Sequence, residues 1–330
     1  MAGLAAVKTM FEHFMEAYVC GKVDECQEYF TEDTVIEYST VGRHKGISEI
    51  QSALRINGDF NVHYTTVSDL MEFEHECDSI IMAKGHHFTA YRDGEFLYPF
   101  LWGGKYEFAV NRDTGRINYI RFFLEYEFGN TYLPKMEWGW KMYEETKDLK
   151  TSIVGGYQDY KAIVGGDEEE KIQDTLYKLL WDFDNMNYEE CLKRVADDVY
   201  VRVKLFEEVG PSKEYYRKEE FKALMDDNLA YEDQTQMSIH FENIEIAGDT
   251  AIVRAKRYNP GKIVNKHVDV STIHKLFFNM RFVIRMAKEE GRWIVKEVNV
   301  TPINDVDALG FNYMEVKETE LNSVQSAFYR

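Results

Sequence analysis

The sequence predicts an α+β protein in which one structural unit occurs twice. The predicted units are two tandem cone-shaped domains, each a strongly curved, mostly antiparallel sheet wrapped around N-terminal helices. Two observations carry this prediction. Each half of the 330-residue chain begins with an amphipathic helix and a shorter helix, and then runs through long strand patterns separated by acidic or glycine turns. The order of elements is the same in both halves, which is the mark of an internal repeat.

The first half predicts three helices and a short strand before its long strands. The helices are expected over 7–18, 24–29 and near 48–56, and the short strand ends at Tyr38. The long strands are expected over 63–74, 79–91, 96–111 and 116–126. Asp and Gly in the turns between them supply the positive φ angles that tight reversals need. Helices followed by an antiparallel sheet favour a layer of helices packed on a curved sheet.

The second half repeats this order. Its helices are expected over 172–182, 188–194 and near 218–229, with a strand over 195–203. Its long strands are expected over 235–246, 250–258, 274–287 and 292–301. We therefore predict a first domain over 1–130, an ordered connector over 131–168, a second domain over 169–305 and a C-terminal tail over 306–330. The connector contains a stretch, 136–143, that is too aromatic for a disordered tether.

Composition excludes several kinds of partner. The formal net charge is −19 and the Lys and Arg residues form no cluster, which argues against nucleic acid because phosphate backbones bind clustered cations. The four cysteines show no metal-type spacing, and no glycine pattern is typical of phosphate binding, so we expect no metal and no cofactor. No apolar run approaches the roughly 20 residues of a membrane span. A reducing, cytoplasmic location is expected from the cysteine usage.

Aromatic residues suggest what the protein binds. Phe, Tyr and Trp make up 15% of the chain, and Tyr98 and Trp102 lie in one predicted strand. Alternation along a strand sends some of these rings inward, where they could form the wall of a pocket for a small hydrophobic or aromatic molecule. Ordinary core packing is the alternative for each single ring.

Two stretches carry a resemblance to a known family. The sequence SIHFENIEIAGDTA at 238–251 and the sequence GRWIV at 291–295 resemble strand signatures of the SnoaL-like branch of the nuclear transport factor 2-like superfamily. The element order of both halves is similar to that family as well. The resemblance implies a cone-shaped fold with an open pocket. The superfamily includes dehydratases, ketosteroid isomerases, polyketide cyclases, epoxide hydrolases and many proteins that are not enzymes, so the fold alone does not select a chemistry.

The resemblance also implies a set of site residues in the first half. Relatives place a Tyr and an Asp near the end of the first helix and a His at the start of the first long strand. His63 stands at that histidine position and is the predicted general base, while Tyr38 is the predicted hydrogen-bond donor to an oxyanion or leaving group. One of His86 and His87 must face inward by alternation; His87 is the predicted second acid-base group.

An orienting carboxylate and four substrate contacts complete the predicted first-half site. The expected helix-end Asp is replaced by Cys20, and Glu16, one turn earlier, is the predicted orienting carboxylate. Tyr18, Tyr98, Trp102 and His86 are the predicted substrate contacts. Each of these residues also has a plain alternative: His63 as an ordinary strand histidine, and Tyr38 as a residue that simply suits a sheet.

The second half departs from the family pattern in the opposite way. Asp184 stands where the family has its Asp and is a predicted catalytic carboxylate, whereas the histidine position holds Met237. Asp184 could also serve only to turn the chain between two helices. Each half thus keeps one residue of the family's acid-base pair: the first half has the His and the second half has the Asp.

Two functions fit this split pattern. The first is a cofactor-independent lyase or isomerase, specifically a dehydratase that acts on a small hydrophobic cyclic substrate by His/Tyr acid-base chemistry. The second is a non-catalytic small-molecule-binding or assembly protein, a degenerate tandem pseudoenzyme. In both, the two domains are expected to pair as an intramolecular pseudo-dimer, with further homo-oligomers left open.

Overall fold

The computed structural model of the protein describes residues 4–19, 21–54, 60–93, 96–128, 143–149, 152–153, 157, 160–163, 166–204, 212–231, 238–260, 277–304 and 316–317. The chain forms two compact units. One comprises Met1–Ile163 together with Phe311–Arg330, and the other comprises Val164–Gly310. The predicted tail therefore contributes to the first unit.

The first unit has its helices before its long strands, as the sequence predicts. The helices are α1 (Leu4–Val19), a 3-10 helix (Val23–Tyr29) and α2 (Ile47–Leu54). The strands are β1 (Val35–Tyr38), β2 (Gly42–Lys45), β3 (Phe60–His75), β4 (Asp78–Asp93), β5 (Phe96–Asn111), β6 (Ile117–Phe128) and β7 (Lys161–Ala162). The short β1–β2 hairpin is a detail that the sequence analysis missed.

The long strands of the first unit form one mixed sheet. Its order is β2-β1-β6-β5-β4-β3-β7, and the predicted tail adds β14 (Val316–Lys317) beside β5. β1 runs parallel to β6, and the other pairs in the sheet are antiparallel. The predicted mostly antiparallel sheet is confirmed.

Irregularities in strand pairing bend this sheet. The register between β3 and β4 shifts twice, between Val62 and Tyr64 and between Ser68 and Met71. Asp69 lies inside the second shift with a φ of 51°, which is the left-handed backbone that a bulge residue adopts. A further shift falls at Gly103 and Gly104 in β5. Bulges increase local twist, so these sites favour a sheet that curls around α1.

Helix α1 packs on the concave face of the sheet. Its buried residues, Val7, Phe11, Phe14, Met15 and Tyr18, recur at the spacing of one helical face. They share one core with strand residues that alternate along the sheet, namely Ile81, Ala83, Tyr106, Phe108, Val110, Ile120 and Phe122. Odd positions of β4 and even positions of β5 therefore face the interior of the unit.

The opposite face of the same sheet holds buried charges. Lys84 and Asp69 form a fully buried ion pair at 2.7 Å, and buried Lys105 pairs with Glu125. Glu107, also fully buried, accepts hydrogen bonds from the Tyr119 hydroxyl at 2.8 Å and from the Tyr160 hydroxyl at 2.6 Å. The two faces of one sheet thus differ in character: rings line the helix side and ion pairs line the other side.

The second unit repeats the element order. Its helices are α3 (Glu168–Asp184), α4 (Tyr188–Leu192) and α5 (Lys218–Tyr231). Its strands are β8 (Val195–Val203), β9 (Lys213–Tyr216), β10 (Ser238–Ala247), β11 (Thr250–Pro260), β12 (Phe277–Glu289) and β13 (Arg292–Asn304). The sheet order is β10-β11-β12-β13-β8-β9, with β8 parallel to β13. The predicted turns hold glycines in the left-handed region, Gly248 at φ 61° and Gly291 at φ 78°.

The start of α3 is fixed by acidic residues. The Asp167 carboxylate caps the helix by accepting the Glu170 amide at 2.8 Å. Glu168 accepts hydrogen bonds from Lys288 on β12 and from the Trp293 indole on β13, both at 2.8 Å. Hydrogen bonds from Lys171, Lys288 and Trp293 lower the pKa of Glu168 to about 2. The acidic first turn expected from the sequence therefore ties the helix to the sheet.

In the part of the chain that the structure describes, there is no helix of the length and apolarity that crossing a membrane requires.

Candidate functional site

Three tyrosines lie in the interior of the first unit. Tyr18 comes from the end of α1, Tyr38 from the end of β1 and Tyr106 from the middle of β5, and all three are buried. The Tyr18 and Tyr38 rings meet edge to face at 5.8 Å, and the Tyr38 and Tyr106 rings do so at 6.2 Å. Phenylalanines surround them, with Phe122 at 4.5 Å from Tyr106 and 5.3 Å from Tyr38. Polar hydroxyls are thereby carried into an apolar interior.

A buried histidine joins this group. Nε2 of His87, on β4, lies 3.0 Å from the Tyr106 hydroxyl, and both residues are fully buried. Burial lowers the pKa of His87 well below its usual range, and the neighbouring His86 lowers it further. His87 is therefore neutral at neutral pH, and a neutral imidazole can accept a proton.

A glycine makes room for the His87–Tyr106 bond. Gly85 precedes His87 by two residues, so both positions lie on the same face of β4. A Cβ atom at Gly85 would lie 2.4 Å from Cε2 of Tyr106 and 2.9 Å from Nε2 of His87. Any side chain here would displace one ring or the other, so the glycine is a condition for the bond.

The Tyr38 hydroxyl is a buried polar group without a partner. Among the described residues, none lies within hydrogen-bonding distance of it. Burial raises the pKa of Tyr38 well above its usual range, with Tyr18 adding to the effect, so the hydroxyl keeps its proton. Leaving such a donor unpaired costs about 1–3 kcal/mol. A group of this kind is explained if a ligand accepts its hydrogen bond.

The structure separates the predicted site residues into those it brings together and those it does not. Tyr38, His87 and Tyr18 come together in the interior of the first unit. Glu16 is exposed on α1, which does not fit the predicted orienting role, because the buried face of the helix carries Met15 and Tyr18 instead. His86 points to the opposite face of the sheet, where its Nε2 lies 3.2 Å from the Ser68 hydroxyl, so it does not face the interior that holds Tyr38 and His87.

Three predicted site residues, His63, Tyr98 and Trp102, have side chains outside the described part. His63 lies in β3 at a bulge, between the paired residues Val62 and Tyr64. Trp102 is the register partner of His87, and Tyr98 is the partner of Tyr91. Cys20 stands where the family has its Asp in the first half, and Met237 stands where it has its His in the second half. Both lie outside the described residues. The roles of His63, Tyr98 and Trp102 stay predictions.

The second unit has a different polar pair in its interior. Asp184, at the end of α3, has a fully buried side chain, and its Oδ1 lies 3.2 Å from Nη2 of Arg257 on β11. Arg257 is 3% exposed, and its guanidinium lies 5.6 Å from the centre of the Phe282 ring. An ion pair fits the carboxylate of Asp184 better than the acid-base role expected of it.

Strand registers show which residues of the two units correspond. In each unit one row of paired residues crosses four strands on the helix side. In the first unit the row is Ala83, Tyr106, Phe122 and Tyr38. In the second unit it is Ala255, Phe282, Val300 and Val203. Two residues beyond Ala83 and Ala255 stand Gly85 and Arg257.

The two interiors therefore carry different chemistry at equivalent places. The first has the hydroxyls of Tyr106 and Tyr38 where the second has Phe282 and Val203. The second has an arginine where the first needs a glycine. Sequence reasoning missed Tyr106, Gly85 and Arg257, although the alternation of β5, β4 and β11 could have placed all three on the helix side.

Among the described residues there is no group of three or more His, Cys, Asp or Glu side chains placed to hold a metal ion.

The two units share one arrangement of elements. Each unit has a long helix, a short helix, a strand, another helix and then four long antiparallel strands, the last of which runs parallel to the first strand. The sheet curls around the first helix without closing. This is the arrangement that the sequence resemblance to the nuclear transport factor 2-like superfamily implies. The predicted α+β architecture of two units with curled, mostly antiparallel sheets is confirmed.

Several solved structures are similar to parts of the chain. One is a type 2 hexachlorocyclohexane dehydrochlorinase (14% identity, 42% of this chain, 86% of that chain, TM-score 0.35). Another is a putative scytalone dehydratase from Novosphingobium aromaticivorans (15% identity, 42% and 87%, TM-score 0.33). A third is a ketosteroid isomerase-like protein from Erwinia carotovora atroseptica (15% identity, 42% and 99%, TM-score 0.35). No protein-family model matches the chain, and no curated protein matches it.

Proposed function

We propose that the interior of the first unit binds a small, uncharged cyclic carbonyl compound and catalyses cofactor-independent proton transfer on it, as a dehydratase or isomerase. The observation that carries this proposal is the buried, unpaired Tyr38 hydroxyl beside the bonded pair His87 and Tyr106. One group is poised to donate a hydrogen bond, and its neighbours can exchange a proton. These are the two requirements for removing a proton next to a carbonyl group.

The Tyr38 hydroxyl would stabilise the negative charge that develops on the substrate oxygen. It keeps its proton because burial raises its pKa. In an apolar interior a hydrogen bond to a developing oxyanion is worth more than in water, since water does not screen it. Loss of one such donor typically lowers turnover by about 10²–10³-fold.

His87 and Tyr106 would handle the proton. Neutral His87 can accept one, and the 3.0 Å bond lets the Tyr106 hydroxyl pass a proton to Nε2 or receive one from it. In a dehydration, the pair takes the proton from the carbon beside the carbonyl and a proton is returned to the departing hydroxyl. The products are an enone and water, so atoms and charges balance without a further reactant.

The interior favours an uncharged substrate. The core cluster that contains Tyr38 and Tyr106 consists of apolar and aromatic residues. The two ion pairs with a fully buried lysine, Lys84–Asp69 and Lys105–Glu125, lie on the opposite face of this sheet. Burying a charged substrate among these rings would carry a large desolvation penalty, whereas a neutral ring compound gains from the apolar contacts.

The test is dehydration of a simple β-hydroxy ketone. The probe is 3-hydroxycyclohexanone, whose product 2-cyclohexenone absorbs in the ultraviolet. We expect the full chain to accelerate the reaction and His87→Gln to lower the rate at least about 10²-fold, since general acid-base catalysis contributes 10²–10⁴-fold. His240→Gln is the matched control, because His240 is exposed on β10 of the second unit. Equal rates for the wild-type protein and His87→Gln would refute the assignment.

A binding function without catalysis is the second candidate. It is favoured by the dense packing of the interior rings, with the Phe14 and Tyr18 rings stacked at 6.0 Å and Tyr38 fully buried. In that case 2-cyclohexenone would bind, with a loss of affinity in Tyr38→Phe, while 3-hydroxycyclohexanone would not turn over. The same protein samples therefore distinguish the two candidates.

A further inference from the structure

The interior of the second unit holds a buried arginine whose side chain is only partly used. Nη2 of Arg257 contacts Oδ1 of Asp184 at 3.2 Å, and the guanidinium lies over the Phe282 ring. Its Nε atom is buried, and no acceptor among the described residues lies within hydrogen-bonding distance. Arg257 has no role in the chemistry proposed for the first unit.

We infer that the second unit is a separate binding site, in which Nε of Arg257 donates a hydrogen bond to the carbonyl oxygen of an uncharged, largely apolar ligand. Arginine presents its donors in a rigid planar fork, so the direction of Nε is fixed once Nη2 is held by Asp184. A buried charged group with an unpaired donor is costly to the fold. An acceptor supplied by a ligand removes that cost.

Charge selects the ligand class. Asp184 and Arg257 together carry no net charge. A ligand carboxylate would leave one surplus negative charge in the interior, and buried charges without a partner are strongly disfavoured. A ketone or amide oxygen satisfies Nε without adding charge.

The residues around Arg257 are apolar, which favours a ligand that is apolar apart from its carbonyl oxygen. Ile239 and Met280 flank Arg257 as its register partners on the neighbouring strands. Phe282 and Phe183 belong to the core cluster of the unit or pack against it. A buried water molecule is typically held by about three hydrogen bonds, but a carbonyl oxygen on an apolar ring needs only one donor and apolar walls.

The position of Arg257 supports a ligand-binding site rather than an ion pair that only stabilises the fold. In the first unit the equivalent position is Gly85, where any Cβ atom would clash with Tyr106 and His87. The second unit has Phe282 in place of Tyr106, and a long polar side chain occupies the corresponding space. Equivalent places in the two units thus carry groups suited to different ligands.

The experiment compares three probes of similar shape on the full chain. Acetophenone has a carbonyl acceptor, ethylbenzene lacks it and benzoate carries a charge. Binding is measured by ligand-observed nuclear magnetic resonance in a Tyr38→Phe background, which removes the carbonyl donor proposed for the first unit. Arg257→Met and Asp184→Asn are each added to that background. His240→Gln, added in the same way, is the matched control, because His240 is exposed on β10.

The expected result in the Tyr38→Phe background is a preference of about tenfold or more for acetophenone over ethylbenzene, which adding Arg257→Met abolishes and adding His240→Gln leaves in place. Asp184→Asn removes the compensating carboxylate, so benzoate binding is expected to increase in that variant. Should the Arg257→Met variant fail to fold, the benzoate result with Asp184→Asn decides the question. A preference that persists with Arg257→Met, one that is also lost with His240→Gln, or benzoate binding unchanged with Asp184→Asn would overturn the inference.

Discussion

At the scale of single residues, the account depends on Tyr38, His87 and Tyr106. Sequence reasoning placed Tyr38 and His87 in the site because one comes from a family-like position and the other from a pair of histidines on one strand. Alternation required that one of His86 and His87 face inward, but it did not say which. The structure answers through Gly85, whose missing side chain makes room for the His87 and Tyr106 rings.

The residues that sequence reasoning missed owe their roles to contacts that are distant in the chain. Tyr106 lies 19 residues from His87, and Arg257 lies 73 residues from Asp184. Asp184 was singled out from its position alone, and its partner depends on the register of β11. Pairings of this kind are set by sheet topology, which a pattern of residue types along the chain does not encode.

The unpaired hydroxyl predicts opposite effects for two similar substitutions. Tyr38→Phe removes a buried donor without a partner, so we expect the free energy of unfolding to stay unchanged or to rise by about 1 kcal/mol. Tyr106→Phe removes the hydroxyl that bonds His87, so we expect a loss of about 1–3 kcal/mol. Urea unfolding followed by circular dichroism checks both. A Tyr38→Phe variant clearly less stable than the wild-type protein would mean that this hydroxyl stabilises the fold.

The lowered pKa of His87 predicts a stability that declines in acid. As the pH falls below about 6.5, the ordinary pKa of histidine, the unfolded chain takes up a proton at this residue and the folded chain does not. The free energy of unfolding therefore falls by up to about 1.4 kcal/mol per pH unit from this group. Between pH 7.5 and 5.5 we expect a smaller fall for His87→Gln than for the wild-type protein.

The comparison of the wild-type protein with His87→Gln isolates the contribution of His87 to the pH dependence of stability. Other titrating groups contribute equally to both proteins, so the difference between the two curves isolates His87. Parallel curves would show that His87 titrates in the fold as it does in the unfolded chain.

At the scale of elements, the helices and long strands could be predicted well from the sequence. The strand predicted over 195–203 is β8 with the same bounds, and the predicted strand over 96–111 is β5. Apolar alternation and Gly or Asp turns are local signals, so they can be seen in the chain. The strands β2 and β9, which form hairpins with β1 and β8, were not predicted, because strands of four residues contain too little alternation to be recognised.

Gly85 in β4 allows the Tyr106 and His87 rings to approach the strand closely. Gly85→Ala forces the Tyr106 or His87 ring to move, because the added atom would lie 2.4 Å from one and 2.9 Å from the other. We expect a loss of about 1–3 kcal/mol of stability from overpacking, together with slower turnover of 3-hydroxycyclohexanone at temperatures where the variant is folded.

The matched control for this substitution is Gly166→Ala. Nothing lies within 4 Å of a Cβ atom added at Gly166, so stability is expected to change by less than about 0.5 kcal/mol. If Gly85→Ala behaves as Gly166→Ala does, the close approach of the two rings to β4 is not required for the site.

At the scale of the whole molecule, the chain contains two units of one fold with different interiors. The repeat was visible in the sequence because element order survives substitution of the residues inside. The division of chemistry between the units was only partly visible. The sequence showed that each half lacks one member of the family pair, but not that Tyr106 bonds His87 in the first interior and Arg257 pairs with Asp184 in the second.

The central claim is that the first unit removes a proton next to a carbonyl group. Exchange of deuterium into C2 of cyclohexanone in heavy water measures that step alone, since it requires no leaving group. We predict exchange faster than in buffer for the wild-type protein, at least about tenfold slower exchange for His87→Gln and for Tyr38→Phe, and unchanged exchange for Arg257→Met. Exchange no faster than in buffer, or undiminished in His87→Gln and Tyr38→Phe, would contradict the account.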